Sequence, residues 1–528
     1  MTRLDHAFLT VEIDGARPVL EPSDAGATPA WSGHGVRVEM LAASDADRIF
    51  QRWHVDAGSG TAPRVEIRVR GRLDRPALAE ITETDRPTPT GARSRWRSHD
   101  GRLHLEARTL PARADVAVRG ATVRWTEVDG GELVGRADWP DRRDALALEI
   151  EVALGGAGAQ ADPSPVGAAT GDRLTRGALA YVRGCTALRT GVDERTILTD
   201  HRILPLSWTR DAYWQAAALL AADGPGDRAR VADHLRWLWR RCDRPDGWWA
   251  RSHHADGRRK DLAFQADQQL YPMLELADFH EAAGALPTGV DWATAVGRAW
   301  AASELRVDGG LGLLASGENA ADDPTDFPFI AASQILRWRT AVRLEHLAAA
   351  GALAVDPGQF SIAARSADDA FAAAFVCDAN PWPYAVDAGG RTLMYHDAND
   401  LPVALAPAWG FCAADDPGWR STMAFAFGPA NPAWVSGRLP GLGSLHTPGV
   451  WTLGDLQAWI SARAVGDAPK AAAALERLER IAFSDGMLPE AYDPDDETPI
   501  RHWFAWPGAA LAALRLSDEH GERIASPT

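Results

Sequence analysis

The feature that most constrains the fold is a change in hydrophobic periodicity near residue 155. Before it, short segments alternate apolar and polar residues, and clusters of Gly, Pro and Asp separate them. This two-residue period is typical of β-strands. After it, apolar residues recur at i, i+3 and i+4, which is the spacing of amphipathic helices. The sequence therefore predicts a β-rich part followed by a larger helical part.

The strand-like segments lie within residues 1–155, for which we predict an N-terminal antiparallel β-sandwich domain. A stretch rich in Gly, Ala and Pro over residues 156–172 is typical of a linker. The clearest strand-like segments are Val36–Met40, Arg64–Val69, Leu103–Ala107, Val116–Arg119 and Ala145–Val152.

Helical patterns fill residues 173–516, and we expect the polar stretch 517–528 to be a frayed tail. The pattern alone predicts a large all-α domain. Its length and the motifs described below suggest an (α/α)6 barrel, whose loops line a pocket at one end. The predicted fold class is therefore mainly α. The predicted helices are Asp211–Ala222, Ala229–Arg241, Gln268–His280, Ser333–Ala350, Ser361–Phe375, Leu453–Val465, Ala471–Ile481 and Pro507–Leu516.

Charge and composition exclude several classes of partner. The formal net charge is −17, so the chain lacks the basic footprint that nucleic-acid binding requires. The sequence contains no apolar run of signal-peptide or membrane-spanning length, so we expect a cytoplasmic protein without a membrane partner. The four cysteines are far apart and form no zinc-ligand pattern, and we predict neither a metal nor another cofactor.

Tryptophan is unusually frequent, with 22 residues against 14 Phe and 6 Tyr. An indole ring can stack on the C–H face of a sugar while its N–H finds a polar partner, so tryptophans in loops favour carbohydrate binding as a group. Any one of them, taken singly, is more simply a packing residue. Loop-like stretches contain Trp248, Trp249, Trp382, Trp409, Trp451, Trp503 and Trp506.

Acidic residues beside aromatic ones suggest chemistry at glycosidic bonds. Glycoside hydrolysis requires a carboxylic acid that protonates the leaving oxygen and a carboxylate that activates water or attacks the anomeric carbon. A single acidic loop residue is more often a helix cap or a solvated charge, so its neighbouring residues decide whether it is a catalytic candidate. Two loops provide candidates: Ser316–Phe329 contains Glu318, Asp322, Asp323 and Asp326, and Asp485–Gly508 contains Glu490.

Other stretches are dense in groups that bind sugar hydroxyls. Carboxylates and guanidinium groups make charge-assisted hydrogen bonds to vicinal diols, so sugar pockets collect Asp and Arg. The candidate substrate-binding residues are Trp208, Arg210, Asp211, Gln265, Asp267, Asp397, Asn399, His446, Arg501 and Trp503.

Five stretches, in this order, resemble glycoside hydrolase family 125: Ser207–Asp211, Ala321–Gln334, His396–Pro402, Gly441–Pro448 and Arg501–Trp506. The resemblance spans roughly residues 175–515. It implies an exo-acting α-mannosidase with an inverting, metal-independent mechanism on an (α/α)6 barrel. The sequence departs from the family pattern at Thr209, Ala332, Gln334 and Leu445.

The resemblance also implies roles for individual residues. Asp322 is the expected general acid, with Asp323 as its rival, and Glu490 is the expected general base. The terminal-sugar subsite is expected to include Arg210, Asp211, Asp397, Asn399 and His446.

The resulting hypothesis is inverting hydrolysis of a terminal α-linked hexose, with α-1,6-linked mannose as the expected sugar and an oligosaccharide or glycoside as the partner. One alternative is another inverting α-glycosidase, such as an α-glucosidase, or a glycoside phosphorylase on the same barrel. Another alternative is a non-catalytic sugar-binding protein. The two retained carboxylates argue against it. The sequence leaves the oligomeric state open.

Overall fold

A computed structural model gives the structure over most of the chain. The described residues form two compact units, one ending at Leu154 and one starting at Gly171. The described ranges are 9–15, 21–23, 30–33, 35–42, 48–56, 63–70, 95–106, 113–128, 132–138, 145–154, 171–200, 204–224, 226–260, 262–376, 380–482, 487–501 and 503–520.

The first unit consists of antiparallel strands in two sheets, ordered β1-β6-β11-β10 and β2-β3-β4-β5-β12-β9-β8-β7. Each strand-like segment named from the sequence overlaps a strand, and Ala107, at the end of one segment, lies outside the described residues. The strands are β1 (Leu9–Ile13), β2 (Glu21–Ser23), β3 (Ala30–Gly33), β4 (Val36–Ala42), β5 (Arg48–Asp56), β6 (Val65–Arg70), β7 (Arg95–His99), β8 (Arg102–Glu106), β9 (Arg113–Arg119), β10 (Thr122–Val128), β11 (Glu132–Asp138) and β12 (Ala145–Leu154).

The alternation of side chains explains these strands. In β8 the apolar Leu103 and Leu105 are buried while their neighbours are more exposed, as the two-residue period requires. Buried residues of both sheets, such as Ile67 from the first and Ile150 from the second, belong to one hydrophobic cluster. The first unit therefore has a hydrophobic core of its own.

The second unit is helical, with short strands in its loops. Its helices are α1 (Arg173–Tyr181), α2 (Thr209–Ala222), α3 (Asp227–Arg236), α4 (Ala266–Ala283), α5 (Trp292–Glu304), α6 (Ala331–Ala349), α7 (Gly358–Phe375), α8 (Leu401–Trp409), α9 (Pro417–Ala426), α10 (Thr452–Ala464), α11 (Ala468–Ile481) and α12 (Ala505–His520). The short strands are β13 (Ala187–Arg189), β14 (Arg195–Ile197), β15 (Phe329–Ile330), β16 (Ala385–Val386), β17 (Thr392–Leu393), β18 (Trp434–Val435), β19 (Gly441–Leu442), β20 (Val450–Trp451), β21 (Ala491–Tyr492) and β22 (Pro499–Ile500).

Six of the helices form a closed ring. Helices α2, α4, α6, α8, α10 and α12 contact one another in that order, and α12 contacts α2 again. Outside the ring, α1 packs on α12, α3 on α2 and α4, α5 on α4, α7 on α6, and α11 on α10. The indole of Trp419 in α9 donates to the carbonyl of Val403 in α8 at 2.8 Å. This is the arrangement of a barrel built from six helical hairpins.

The two layers differ in sequence because they differ in burial. The ring helix α2 is buried along almost its whole length, and its sequence is apolar or uncharged on nearly every face. The outer helix α11 buries one stripe, Ala471, Ala474, Leu478 and Ile481, and exposes charged residues elsewhere. Each predicted helix overlaps one helix of the structure, and the segment Ala229–Arg241 ends in a π-helical turn, Trp237–Arg241.

Four helices are not among the examples named from the sequence, namely α1, α5, α8 and α9. Helix α8 contains Pro402 and Pro407, and prolines in a sequence predict a break in a helix. Pro402, however, lies in the first turn, where its missing N–H removes no intrahelical hydrogen bond. The predicted tail begins too early, because α12 continues to His520 and Ser517 is buried. Asp172, assigned to the linker, caps α1 by accepting from the N–H of Thr175 at 2.9 Å. Residues 156–170 of that linker lie outside the described residues.

None of the helices in the described ranges combines the length and the apolar character needed to span a bilayer.

Candidate active site

A cavity lies at the N-terminal ends of the ring helices. It receives side chains from the start of α2, from the loop before α6, and from the segments that lead into α8, α10 and α12. Helix N-termini carry unpaired N–H groups and a partial positive charge, so this end of the ring favours carboxylates and hydroxyl oxygens. The cavity is lined by Thr199, Leu204, Trp208, Arg210, Asp211, Ala320, Ala321, Asp322, Asn399, His446, Trp451, Glu490, Arg501, Phe504 and Trp506.

Arg210 is the central cation of the cavity. Its Nη1 donates to Oδ2 of Asp267 at 2.8 Å, its Nε lies 3.5 Å from Oδ2 of Asp211, and its guanidinium lies 4.8 Å from the centre of the Trp506 ring. Burial raises the pKa of Asp211 to about 7, although the charge of Arg210 opposes the rise. Thr199 donates to Asp211 at 3.0 Å. Arg210 is thus held by two carboxylates and an aromatic face.

Asp322 projects into the cavity from the loop before α6. Its Oδ1 accepts from Nε2 of Gln265 at 2.6 Å, and its Oδ2 accepts from the indole of Trp208 at 3.1 Å. Nη2 of Arg210 lies 3.7 Å from Oδ1. The backbone of Asp322 is left-handed, with φ of 70°, which costs a non-glycine residue about 1–2 kcal/mol. Such strain persists only where surrounding contacts enforce it, and it is concentrated at functional sites.

Asp323 has a different environment from its neighbour. Its side chain is 42% exposed, and its Oδ1 lies 3.0 Å from Nδ1 of His446. Burial alone would lower the pKa of His446, but the hydrogen bond and the negative charge of Asp323 raise it. His446 lines the cavity, whereas Asp323 does not. The structure therefore separates the two aspartates that the sequence left as rivals.

Glu490 enters the same cavity from the segment before α12. Strand β21 begins one residue later and pairs with β20 and β22, and the N–H of Glu490 donates to the carbonyl of Arg501 at 3.1 Å. Burial raises the pKa of Glu490, and the positive charge of Arg501, whose Nη1 is 3.4 Å from Oε1, partly offsets the rise. Arg501 also has a left-handed backbone, with φ of 50°.

The remaining polar wall is built around Asp397. Asn399 lines the cavity, and its N–H and side-chain amide both donate to Oδ1 of Asp397, at 2.8 and 2.7 Å. The hydroxyl of Ser444 donates to Oδ2 at 2.8 Å, and the hydroxyl of Tyr395 donates to the same oxygen. Asp397 therefore holds Asn399 and the loop of His446 in place from behind the cavity.

The structure brings together most of the residues proposed from the sequence. A second group touches the lining side chains without lining the cavity itself: Gln265 and Asp267 at the start of α4, with Asp323 and Asp397. Trp503 is an exception, because its ring stacks on Tyr181 with centroids 6.1 Å apart, in a cluster away from the cavity. The lining residues among the proposals are Trp208, Arg210, Asp211, Asp322, Asn399, His446, Glu490 and Arg501.

Several lining residues were absent from the predicted site. Trp451, Phe504 and Trp506 belong to loops that the sequence marked as rich in aromatics, so a signal for them existed. Thr199, Leu204, Ala320 and Ala321 carry no such signal, because small and aliphatic residues are common in any loop. Among the described residues, no group of three or more His, Cys, Asp or Glu side chains is arranged to hold a metal ion.

The geometry is that of a small cavity into which two carboxyl groups project from loops far apart in the chain. Residues 301–516, which include both carboxyl groups, match the family model described as metal-independent alpha-mannosidase, glycoside hydrolase family 125. This segment belongs to glycoside hydrolase family 125. The chain is accordingly a glycoside hydrolase, and its family 125 segment provides Asp322, Asn399, His446 and Glu490, while Trp208 and Arg210 precede it.

Two solved structures resemble this chain in fold. A metal-independent α-mannosidase from Streptococcus pneumoniae, in a non-productive complex with α-1,6-mannobiose, is 17% identical with a TM-score of 0.57, over 66% of this chain and 93% of that one. A bacterial glucoamylase complexed with acarbose is 12% identical with a TM-score of 0.64, over 98% of this chain and 89% of that one. No curated protein sequence matches the chain.

Proposed function

We propose that this enzyme hydrolyses a terminal α-linked mannose, most simply in an α-1,6 linkage, with inversion at the anomeric carbon. The observation that carries the proposal is that Asp322 and Glu490 line one cavity from two different loops. An inverting mechanism needs an acid and a base on opposite sides of the sugar, with room for a water molecule beside the base.

The two environments support two different roles. Asp322 faces the cavity, and two hydrogen-bond donors and the nearby charge of Arg210 orient its carboxyl group, so it is the proposed acid that protonates the leaving glycosidic oxygen. Glu490 is the proposed base. Its burial raises its pKa towards the working range of a base, and the charges of Arg501 and His446 oppose protonation. As the C1–O bond breaks, water attacks C1 and Glu490 takes its proton.

The lining of the cavity suits a sugar ring. It combines groups that bind hydroxyls, such as Arg210 and Asn399, with aromatic rings such as Trp506. The family model names α-mannosidases, and the Streptococcus pneumoniae structure contains α-1,6-mannobiose. These two observations support mannose and the α-1,6 linkage for this chain.

One experiment tests sugar, linkage and stereochemistry together. The full-length enzyme is incubated with α-1,6-, α-1,3- and α-1,2-mannobiose and with maltose, and NMR follows the anomer that is released first. We expect α-1,6-mannobiose to be cleaved fastest with release of β-mannose. Initial release of α-mannose contradicts inversion, preferential cleavage of maltose identifies an α-glucosidase, and mannose 1-phosphate formed only with added inorganic phosphate identifies a phosphorylase.

The choice between the two aspartates is tested by D322N and D323N. Removing a general acid costs about 10²- to 10⁴-fold in rate. We expect D322N to lose this much on α-1,6-mannobiose and much less on p-nitrophenyl α-mannoside, whose leaving group needs little protonation. D323N should retain most activity on both substrates. The reverse pattern would assign the acid to Asp323.

For the first unit we propose a β-sandwich of its two sheets. Side chains from both sheets, including Ile67 and Ile150, contribute to one buried cluster, which supports two layers packed face to face.

A further inference from the structure

We propose that the buried ion pair of Arg251 and Glu318 positions the acid Asp322 and sets the charge around it. The inference rests on the proposed function, since it assumes that Asp322 donates the proton. Neither Arg251 nor Glu318 lines the cavity, so both would act through Asp322 rather than on the sugar.

The pair is buried and closely paired. The side chains of Arg251 and Glu318 are 3% and 6% exposed, and Nη1 of Arg251 lies 3.0 Å from each carboxylate oxygen. The same Nη1 donates to the backbone carbonyl of Asp322 at 3.3 Å. This carbonyl belongs to a residue in the left-handed conformation. The ion pair therefore contacts the backbone at the point where the strain has to be maintained.

Gln265 links the carboxylate of Glu318 to that of Asp322. Its Nε2 donates to Oε2 of Glu318 at 3.1 Å and to Oδ1 of Asp322 at 2.6 Å, so the two amide hydrogens serve one carboxylate each. Its Oε1 accepts from Nε2 of Gln268 at 3.1 Å, which settles the orientation of the amide. Glu318 thus holds the amide that in turn holds the acid.

The charge of Glu318 gives this network a second effect. A nearby negative charge favours the protonated form of a carboxyl group, and an acid catalyst must be protonated when the substrate binds. Loss of the Glu318 charge would also remove a negative charge that faces the Arg251 cation beside Asp322. Both effects make the acid give up its proton at lower pH, so they predict the same direction of change.

The test is E318Q in the full-length enzyme. On α-1,6-mannobiose we expect kcat to fall about tenfold to a hundredfold, the range that a small misplacement of a catalytic group produces, with little change in KM. In the plot of kcat/KM against pH, the alkaline limb of E318Q should lie at lower pH than that of the parent enzyme. The loss on p-nitrophenyl α-mannoside should be smaller, because that leaving group depends less on the acid.

E318D separates position from charge. It keeps the negative charge but withdraws the carboxylate by one methylene, so kcat should fall while the alkaline limb stays near its original pH. E304Q is the matched control, because Glu304 pairs with Arg337 through bonds of 3.0 and 2.9 Å far from the cavity lining. It should leave kcat and the pH profile unchanged, and thermal unfolding of all three variants reports any general loss of structure.

The outcomes distinguish this inference from the proposed function. One outcome is that E318Q keeps the kcat and the alkaline limb of the parent enzyme while D322N loses activity in a way that depends on the leaving group. In that case the proposed role of Glu318 is wrong, and the assignment of Asp322 as the acid is supported. If D322N shows no such dependence, the assignment of the acid fails, and with it the premise for Glu318. A uniform loss with E318Q on both substrates and an unmoved alkaline limb indicates a merely structural pair and overturns the inference.

Discussion

The indole N–H of Trp208 donates to Oδ2 of Asp322 at 3.1 Å, joining the start of α2 to the loop before α6. A hydrogen bond to a charged group contributes about 1.5–3 kcal/mol, and this one leaves the ring free to face the cavity. Together with the bond from Gln265 to Oδ1, it fixes the orientation of the Asp322 carboxyl group. It also connects a residue outside the family 125 segment to the proposed acid inside it.

W208F tests this bond, because phenylalanine keeps an aromatic ring but has no N–H. We expect kcat on α-1,6-mannobiose to fall about tenfold, matching the lower end of such a bond's contribution. W249F is the control, since the indole of Trp249 donates to the carbonyl of Leu238 at 3.2 Å and does not line the cavity. It should reduce stability but not kcat. Equal kcat values for W208F and the parent enzyme would contradict a role for the bond.

R501M tests the environment of Glu490. Burial raises the pKa of Glu490 and Arg501 lowers it, so removal of the arginine should raise that pKa further. A base is active when ionised, and the acid limb of the kcat/KM profile should therefore move to higher pH, by about one unit. R438M, which removes one of the two arginine partners of Glu497 in the loop between β21 and β22, should leave the limb in place. If the acid limb of R501M is unchanged or moves to lower pH, the result argues against Glu490 as the base.

Two helical glycines should respond to alanine in opposite ways. A Cβ on Gly454 in α10 would lie 2.3 Å from the carbonyl oxygen of Leu442, whereas one on Gly297 in α5 would meet nothing within 4 Å. G454A should lower the free energy of unfolding by about 1–3 kcal/mol, because α10 and the β19 backbone must separate. G297A should raise it by about 0.5–1 kcal/mol through the better helix propensity of alanine. Urea unfolding monitored by circular dichroism measures both free energies of unfolding. Similar changes in G454A and G297A would contradict the close contact at Gly454.

The stability of the chain should depend on pH through Asp455. Burial raises the pKa of Asp455 to about 7, although Arg477 and the hydroxyl of Tyr492 oppose the rise. The folded state then binds this proton more tightly than the unfolded chain, so folding becomes less favourable as pH rises from about 4 to about 7. D455N lacks the titration, and its stability relative to the parent enzyme should increase across that window.

Thermal unfolding of both proteins between pH 4 and pH 8 checks this slope. D467N provides the contrast, because Asp467 is the partly exposed N-cap of α11 and its pKa is lowered by the N–H of Lys470. Its contribution to stability is present above the pKa of the unfolded chain and is lost only as the pH falls through the lowered pKa, which lies below this range. D467N should therefore be less stable than the parent by a nearly constant amount between pH 4 and pH 8. A flat difference for D455N would mean that Asp455 is not titrating in this range.

The strongly periodic elements could be predicted because their pattern is local. The strand segments near Ile67 and Ile150 alternate with a period of two, and helices such as α7 and α11 repeat an apolar stripe. The weak predictions were those in which tertiary packing overrides local preference. Helix α8 forms around two prolines because the ring buries it.

The site was predictable in its residue types and less so in its geometry. Loops containing acidic, amide and aromatic residues gave eight of the cavity-lining side chains. Trp503 and Trp506 are three residues apart in one aromatic stretch, and only the left-handed backbone of Trp503, with φ of 73°, turns its ring to Tyr181. The sequence also contained no sign that Arg251 and Glu318 form a pair.

The sequence by itself determined the order of the two units, the period of their elements and the loops in which the candidate acid and base lie. These properties depend on neighbouring residues, so they are readable along the chain. Only the tertiary structure decided that Asp322 rather than Asp323 faces the cavity, and which buried groups hold it there. The reason is that closure of the ring, from α2 to α12, sets distances between side chains more than a hundred residues apart, which no local pattern encodes.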